Sequence, residues 1–155
     1  MTGNQIDSTT AKLDIAAHTA DIEGTMSTHS ATTVSHKDAA VSFMRLVGSG
    51  KVREAFHKHA APGFRHHNPF FRGDADSLMK AMEENAAQYP DKAIEVLNVL
   101  EDRDLVAVHS RVRHKPGDRG AALVHIFRFA GEHVVELWDI SQEVPEESVN
   151  ENGMF

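Results

Sequence analysis

The apolar residues of this chain change period at Pro90, and that change limits the folds open to it. Before Pro90 they recur at helical spacing. Ala39, Ala40, Phe43, Leu46 and Val47 form one stripe behind Ser35, a good helix N-cap, and Gly48-Ser49-Gly50 ends the stripe. A second short helix fits Lys51–His59, with Val52, Ala55 and Phe56 inward, and Ala61-Pro62-Gly63 then forces a turn. Phe64–Pro69 reads as short and irregular. Asp74 or Asp76 caps a third helix with Leu78, Met79, Met82 and Ala86 on its apolar face, closed by Tyr89-Pro90. After Pro90 the pattern alternates. Strands are expected over Ala93–Glu101, Leu105–His114, Ala121–Phe129 and from His133 to about Gln142. Helices followed by a run of antiparallel strands predict an α+β class, three N-terminal helices packed on a mainly antiparallel sheet.

With 155 residues the chain is the size of one ordinary domain and needs no covalent staples. It has no cysteine, which removes disulfides, thiolate nucleophiles and Cys-based zinc sites. The net charge of −7 argues against nucleic acid, whose phosphates demand clustered Lys and Arg. No apolar run approaches the roughly 18–20 residues of a membrane span, and no signal-peptide pattern is evident. The cytoplasm is the expected location. Residues 1–34, rich in Thr, Ser and Ala, read as a flexible or partner-packing arm with a weak helix over Thr10–Asp21. The domain proper is expected over residues 35–155.

No Gly-rich phosphate loop, His-Glu-x-x-His or Gly-x-Ser-x-Gly motif is present, so any chemistry must be assembled from separate strands. Strand side chains alternate between two faces. Strict alternation puts His125, Phe127 and Phe129 on one face of their strand. It puts Val134, Glu136, Trp138, Ile140 and Gln142 on one face of the last strand, with Asp139 opposite unless a bulge intervenes. If the helices cover the aromatic faces, His125, Glu136 and Gln142 sit among Phe127, Phe129 and Trp138, and His109 joins them if its register matches. Apolar walls with a few convergent polar groups describe a ligand pocket. The turn His66-His67-Asn68-Pro69 is the other polar concentration. Adjacent side chains there point to different sides, so at most one of the two imidazoles enters a pocket.

The stretches FRHHNPFFRGDADSLMKAM, DRDLVAVHSRVRHKPGDRGAALVHIFRF and GEHVVELWDISQEVPEESVNENGMF resemble the SnoaL-like proteins of the nuclear transport factor 2-like superfamily. The nearest branch is the one described as predicted SnoaL-like aldol-condensation enzymes. The resemblance covers about residues 36–155. It implies a conical α+β fold, with a curved sheet around helices, one pocket, and frequent homodimers. Members include polyketide cyclases, dehydratases, isomerases and epoxide hydrolases but also many non-enzymatic binders, so the fold alone does not settle function. The cyclases use an Asp near the end of the last strand as acid/base. Counted from Trp138, that position falls on Gln142, which cannot transfer a proton. Related sequences also tend to carry Asp where this chain has His125.

These readings converge on a cofactor-independent lyase or isomerase, expected to remove a proton next to a carbonyl in an aldol-type cyclisation, isomerisation or dehydration. The ligand would be a small, apolar carbonyl compound. His67 or His125 is the expected base, because an unperturbed imidazole titrates near pH ~6.5. His109, Asn68 or Arg111 would hold the enolate oxygen. Asp139 is the nearest carboxylate, and Phe127, Glu136, Trp138 and Gln142 would line the ligand. A non-catalytic small-ligand binder of the same fold is the alternative, favoured by Gln142. No cofactor is expected. A metal on His67, His109 and His125 is a subordinate option, with Glu136 or Asp139 behind the imidazoles. A homodimer is expected through the sheet face away from the pocket, on a strip of Val106, Val108, Val112, Val124 and Ile126.

Overall fold

A computed structural model describes residues 34–155. The elements run α1 (His36–Gly48), α2 (Val52–His59), β1 (Ala60–His66), α3 (Ala75–Gln88), β2 (Ala93–Asp102), β3 (Leu105–Arg113), β4 (Ala121–Ala130) and β5 (His133–Glu143). The expected arm, with its helix over Thr10–Asp21, lies outside the described residues apart from Val34.

Local chemistry sets the helix ends. Ser35 Oγ accepts the Asp38 N–H at 3.1 Å, and Asp74 Oδ1 accepts the Ser77 N–H at 2.8 Å, so each cap satisfies a donor that the first turn leaves free. At the far end of α1, Gly50 N donates to Val47 O and Lys51 N to Leu46 O. That pair of bonds is a Schellman closure, and it requires the positive φ of 77° at Gly50. Asp74, rather than Asp76, is the cap of α3.

The strands form one sheet in the order β1-β5-β4-β3-β2. The β2–β3, β3–β4 and β4–β5 pairs are antiparallel, and the four strands match the sequence reading to within about a residue at each end. The first strand was not expected. Ala60–His66 pairs in parallel with β5 through Ala60↔Val134, Arg65↔Glu136 and His66↔Leu137, and the register breaks between Ala60 and Arg65 around Pro62-Gly63. The turn expected at Ala61-Pro62-Gly63 is therefore an interruption within a strand, with Gly63 at φ 77°. Its partner lies some 70 residues further along, so no local pattern announces it.

The core fills the space between the helices and one sheet face. Phe43 of α1 is 1% exposed and packs at ring distances of 5.2 Å on Phe56 of α2 and 5.5 Å on Phe127 of β4. Val106 and Val108 of β3 and Val134 and Leu137 of β5 complete the floor. Truncating a fully buried aromatic removes its transfer energy and leaves a cavity. Phe43→Ala is expected to lower stability by about 3–5 kcal/mol, read as a fall in the urea midpoint with little change in slope.

Candidate functional site

Which side chains face the helices is decided by a bulge at the start of β5. Phe129 pairs with Val134, yet Arg128 pairs with Glu136, so β5 carries one extra residue, Val135. An extra residue breaks the two-residue alternation. Val134 is inward before the bulge. After it Leu137 is inward at 1% exposure, and Asp139 and Ser141 follow on the same face. Glu136, Trp138, Ile140 and Gln142 face the other way.

On β4, His125 and Phe127 pair with Val108 and Val106 of β3, both fully buried. His125 also pairs directly with Asp139 of β5. The imidazole and the carboxylate thus stand side by side on the inner face, at the ~4.5–5.5 Å Cβ spacing of opposed residues. His125 is 4% exposed, and its Nδ1 has no hydrogen-bond partner among the described residues. Burial pushes its pKa down from 6.5 to about 4, and the negative charge of Asp139 offsets only part of that.

Asn68 supplies the third group. Its Oδ1 accepts the Phe70 N–H at 2.9 Å, a local turn bond that aims the amide nitrogen at Asp139, where Nδ2 donates to Oδ2 at 2.6 Å. His66 fixes this turn from below. It is 6% exposed, its Nε2 bonds the Arg72 carbonyl at 2.6 Å, and its Nδ1 accepts the Asn68 N–H at 3.2 Å. Asn68, His125, Asp139 and Ser141 border one cavity of about 480 Å³ whose apolar walls include Phe43, Met44, Val47, Leu78, Met82 and Leu123. A second recess of about 400 Å³ lies beside the β3–β4 connection, bordered by the exposed His114, Arg119 and Glu143. It holds neither His125 nor Asp139.

Several residues expected at the cavity are elsewhere. His67 lies on the outer face. Its ring stacks on Trp138 at 4.8 Å, and its Nε2 is 2.9 Å from Glu136 Oε1. Glu136 also accepts Arg65 Nε at 2.7 Å and Arg128 Nε at 3.2 Å. These bonds, Arg65 first and His67 next, hold its carboxyl at about 2 instead of 4.5. Glu136 and Trp138 therefore belong to a network on the outer sheet face and not to the cavity. Gln142 is exposed opposite Ala122 on the same outer face. His109 and Arg111 alternate against the buried Val108 and Ser110 and so also face outward. His109 Nδ1 meets Asn98 at 3.2 Å, and the Arg111 guanidinium lies 4.7 Å over the Phe155 ring. Phe127 is fully buried under His125, with ring centres 6.2 Å apart, and does not border the cavity.

The register thus separates His67, His109 and His125, and among the described residues no group of three His, Asp or Glu is placed to hold a metal ion. The cavity residues that the sequence reading missed are Ser141, Asn85, Lys92 and His114. Ser141 was findable from Asp139 by the two-residue alternation. Asn85 and Lys92 meet through the turn after α3, and they and His114 reach this cavity only through the packing of the helices against the sheet.

The fold and site together define a pocket-bearing α+β domain of the nuclear transport factor 2-like kind, three helices on a five-stranded, mainly antiparallel sheet. The chain belongs to the SnoaL-like domain family, whose pattern matches residues 40–137. Solved structures with the same fold include IdmH, a proposed polyketide cyclase from Streptomyces antibioticus. It is 21% identical, with 68% of this chain and 90% of that one covered at a TM-score of 0.57. AclR, a proposed hydroxylase from Streptomyces galilaeus, is 22% identical over 68% of this chain and 87% of that one, with a TM-score of 0.59. An NTF2-like protein of unknown function from Cytophaga hutchinsonii is 15% identical over 72% and 94%, also at 0.59. No curated protein matches in sequence. Among the described residues no helix is long and apolar enough to cross a membrane.

Two pH windows follow from the site. The folded pKa of His125 lies below its ordinary value, so between pH 6.5 and about 4 the unfolded chain binds a proton that the folded chain refuses. Glu136 does the same between 4.5 and about 2. Both contributions are complete above their unfolded pKa and are lost as pH falls. The melting temperature is expected to drop in both windows, with His125→Leu flattening the upper slope and Glu136→Gln the lower. NMR of the His125 ring nitrogens should show a neutral imidazole down to about pH 4.

Proposed function

We propose that this SnoaL-like domain is an acid/base enzyme that removes a proton from carbon next to a carbonyl, in an aldol-type cyclisation, isomerisation or dehydration. The observation that carries the reading is the pairing of His125 with Asp139 on the inner sheet face, with Asn68 bound to the carboxylate and apolar walls around all three. The Asp139 carboxylate takes the proton. Asn68, donating to Oδ2, fixes the carboxylate's orientation. The buried imidazole of His125 stays neutral at physiological pH and so offers an N–H to the oxygen that becomes the enolate. In this reading His125 acts as hydrogen-bond donor in place of the expected role of base, since a lowered pKa makes it the weaker proton acceptor. Removing water around the carboxylate strengthens each of these interactions.

Gln142 no longer favours a non-catalytic binder, because it lies on the outer face and Asp139 lies in the cavity. The use of this fold by non-enzymatic binders still favours that alternative. The experiment is solvent deuterium exchange at the carbon next to the carbonyl in a panel of cyclic ketones and hydroxy-carbonyl compounds, followed by proton NMR. Asp139→Asn should slow exchange by about 10²–10⁴-fold. His125→Leu should be more damaging than His125→Gln, which keeps a donor. Exchange by Asp139→Asn at the wild-type rate would sink the assignment. Binding without exchange across the panel would select the binder.

The homodimer is proposed through the outer sheet face, on a different strip from the one expected. Val106 and Val108 are fully buried in the core, and Val112 borders the cavity. Val124 and Ile126 do face outward, beside Trp138 and Ile140. Ile140 is 58% exposed and Leu100, on the same face of β2, is 67% exposed. Burying this strip against a second copy removes apolar area from water. Light scattering is expected to give twice the 17.1 kDa chain mass, and Ile140→Asp to give the monomer.

A further inference from the structure

The proposed chemistry uses one side of the cavity. The other side holds a polar pair it does not use. Lys92, in the residue just before β2, is half-buried in the cavity wall, and its Nζ donates to Asn85 Oδ1 of α3 at 2.8 Å. Lys51 and Lys80 sit on the surface beside Glu54 and Glu84. Lys92 has the neutral amide and, among the described residues, no carboxylate partner. Burial lowers its pKa from the ordinary 10.5, the mark of an ammonium held where its charge is incompletely solvated. An ammonium has three donors, and Asn85 takes one.

We infer that Lys92 and Asn85 form an anion-binding locus, so that the ligand is a carbonyl compound with an acidic group, such as a carboxylate, at its far end. The inference rests on the proposed use of the same cavity and adds the class of ligand. An anion completes the lysine's unfilled valences and offsets the cost of burying its charge. The location also sets a length. Three strand spacings separate β5 from β2, about 14 Å across the sheet. Along α3 the cavity runs from Leu78 to Asn85, two turns or about 10 Å. A ligand touching both loci is therefore an extended one, two fused rings or an acyl chain of similar span, with the carbonyl toward His125 and Asp139 and the acid toward Lys92.

The test uses a matched pair, 6-acetyl-2-naphthoate and its primary amide, which differ in charge and scarcely in shape. Dissociation constants are measured by calorimetry on the full chain at neutral pH. The wild type should bind the acid at least about tenfold more tightly than the amide, the ratio that one charge-assisted bond supplies. Lys92→Met should bring the ratio close to one by weakening the acid far more than the amide, while Lys92→Arg should preserve the preference. Thermal melts check that each variant is folded. Equal binding of the two probes by the wild type, an unchanged ratio in Lys92→Met, or no binding of either probe at millimolar concentration would overturn the inference. Exchange chemistry is read separately. A charge preference without deuterium exchange keeps the locus and removes the enzyme, and exchange without the preference does the reverse.

Discussion

The single extra residue in β5 is the constraint on which the rest of the site depends. Strand side chains have a period of two, so one inserted residue sends every later side chain to the opposite face. Val135 is that residue, lying between the Phe129↔Val134 and Arg128↔Glu136 pairs. Without it Trp138 and Gln142 would lie under the helices and Asp139 would face outward. With it, Asp139 meets His125 across the strand pair, and a bulky indole is kept out of the space that the cavity occupies. A bulge also bends its strand.

The two sheet faces treat their charges in opposite ways. On the outer face Glu136 is satisfied by Arg65, His67 and Arg128, and Arg128 reaches on to Asp104 at 2.9 Å. Pairing of this kind lowers a carboxylate's pKa and stabilises its charge where it stands. On the inner face His125 has an unpartnered Nδ1 and an apolar surround, and burial lowers its pKa by excluding the charged form. One network is closed and complete. The other keeps unused hydrogen-bonding capacity beside an open cavity, which is where a ligand's polar atoms can be received.

Much of the architecture was legible from spacing alone. The helices announce themselves through Ser35 and Asp74 as caps and through the stripe of Phe43 and Val47. The last four strands announce themselves through alternation between clear turns. β1 did not, because a seven-residue segment containing Pro62 and Gly63 has no strand-like pattern of its own and is held by a parallel partner far along the chain. In the site, Asn68 and His125 were legible as polar residues at constrained positions. His67 sits in the turn after β1 and stacks outward on Trp138, while His109, Arg111, Glu136, Trp138 and Gln142 were misplaced for one reason. Their facing depends on register, and register is a relation between strands.

The sequence by itself determined the class of fold, the order of helices before strands, and the supply of imidazoles, carboxylates and amides from which a site could be built. Those follow from local propensity and from periodicity, which each segment carries within itself. Only the tertiary structure decided which of these groups meet. Whether Asp139 or Gln142 faces the helices turns on a one-residue bulge against a neighbouring strand. Whether Lys92 and Asn85, neighbours through the turn after α3, border the same cavity as Asp139 turns on how the helices pack over the sheet. Both are settled by packing the largest apolar groups into a common core, and no segment of the chain holds that information alone.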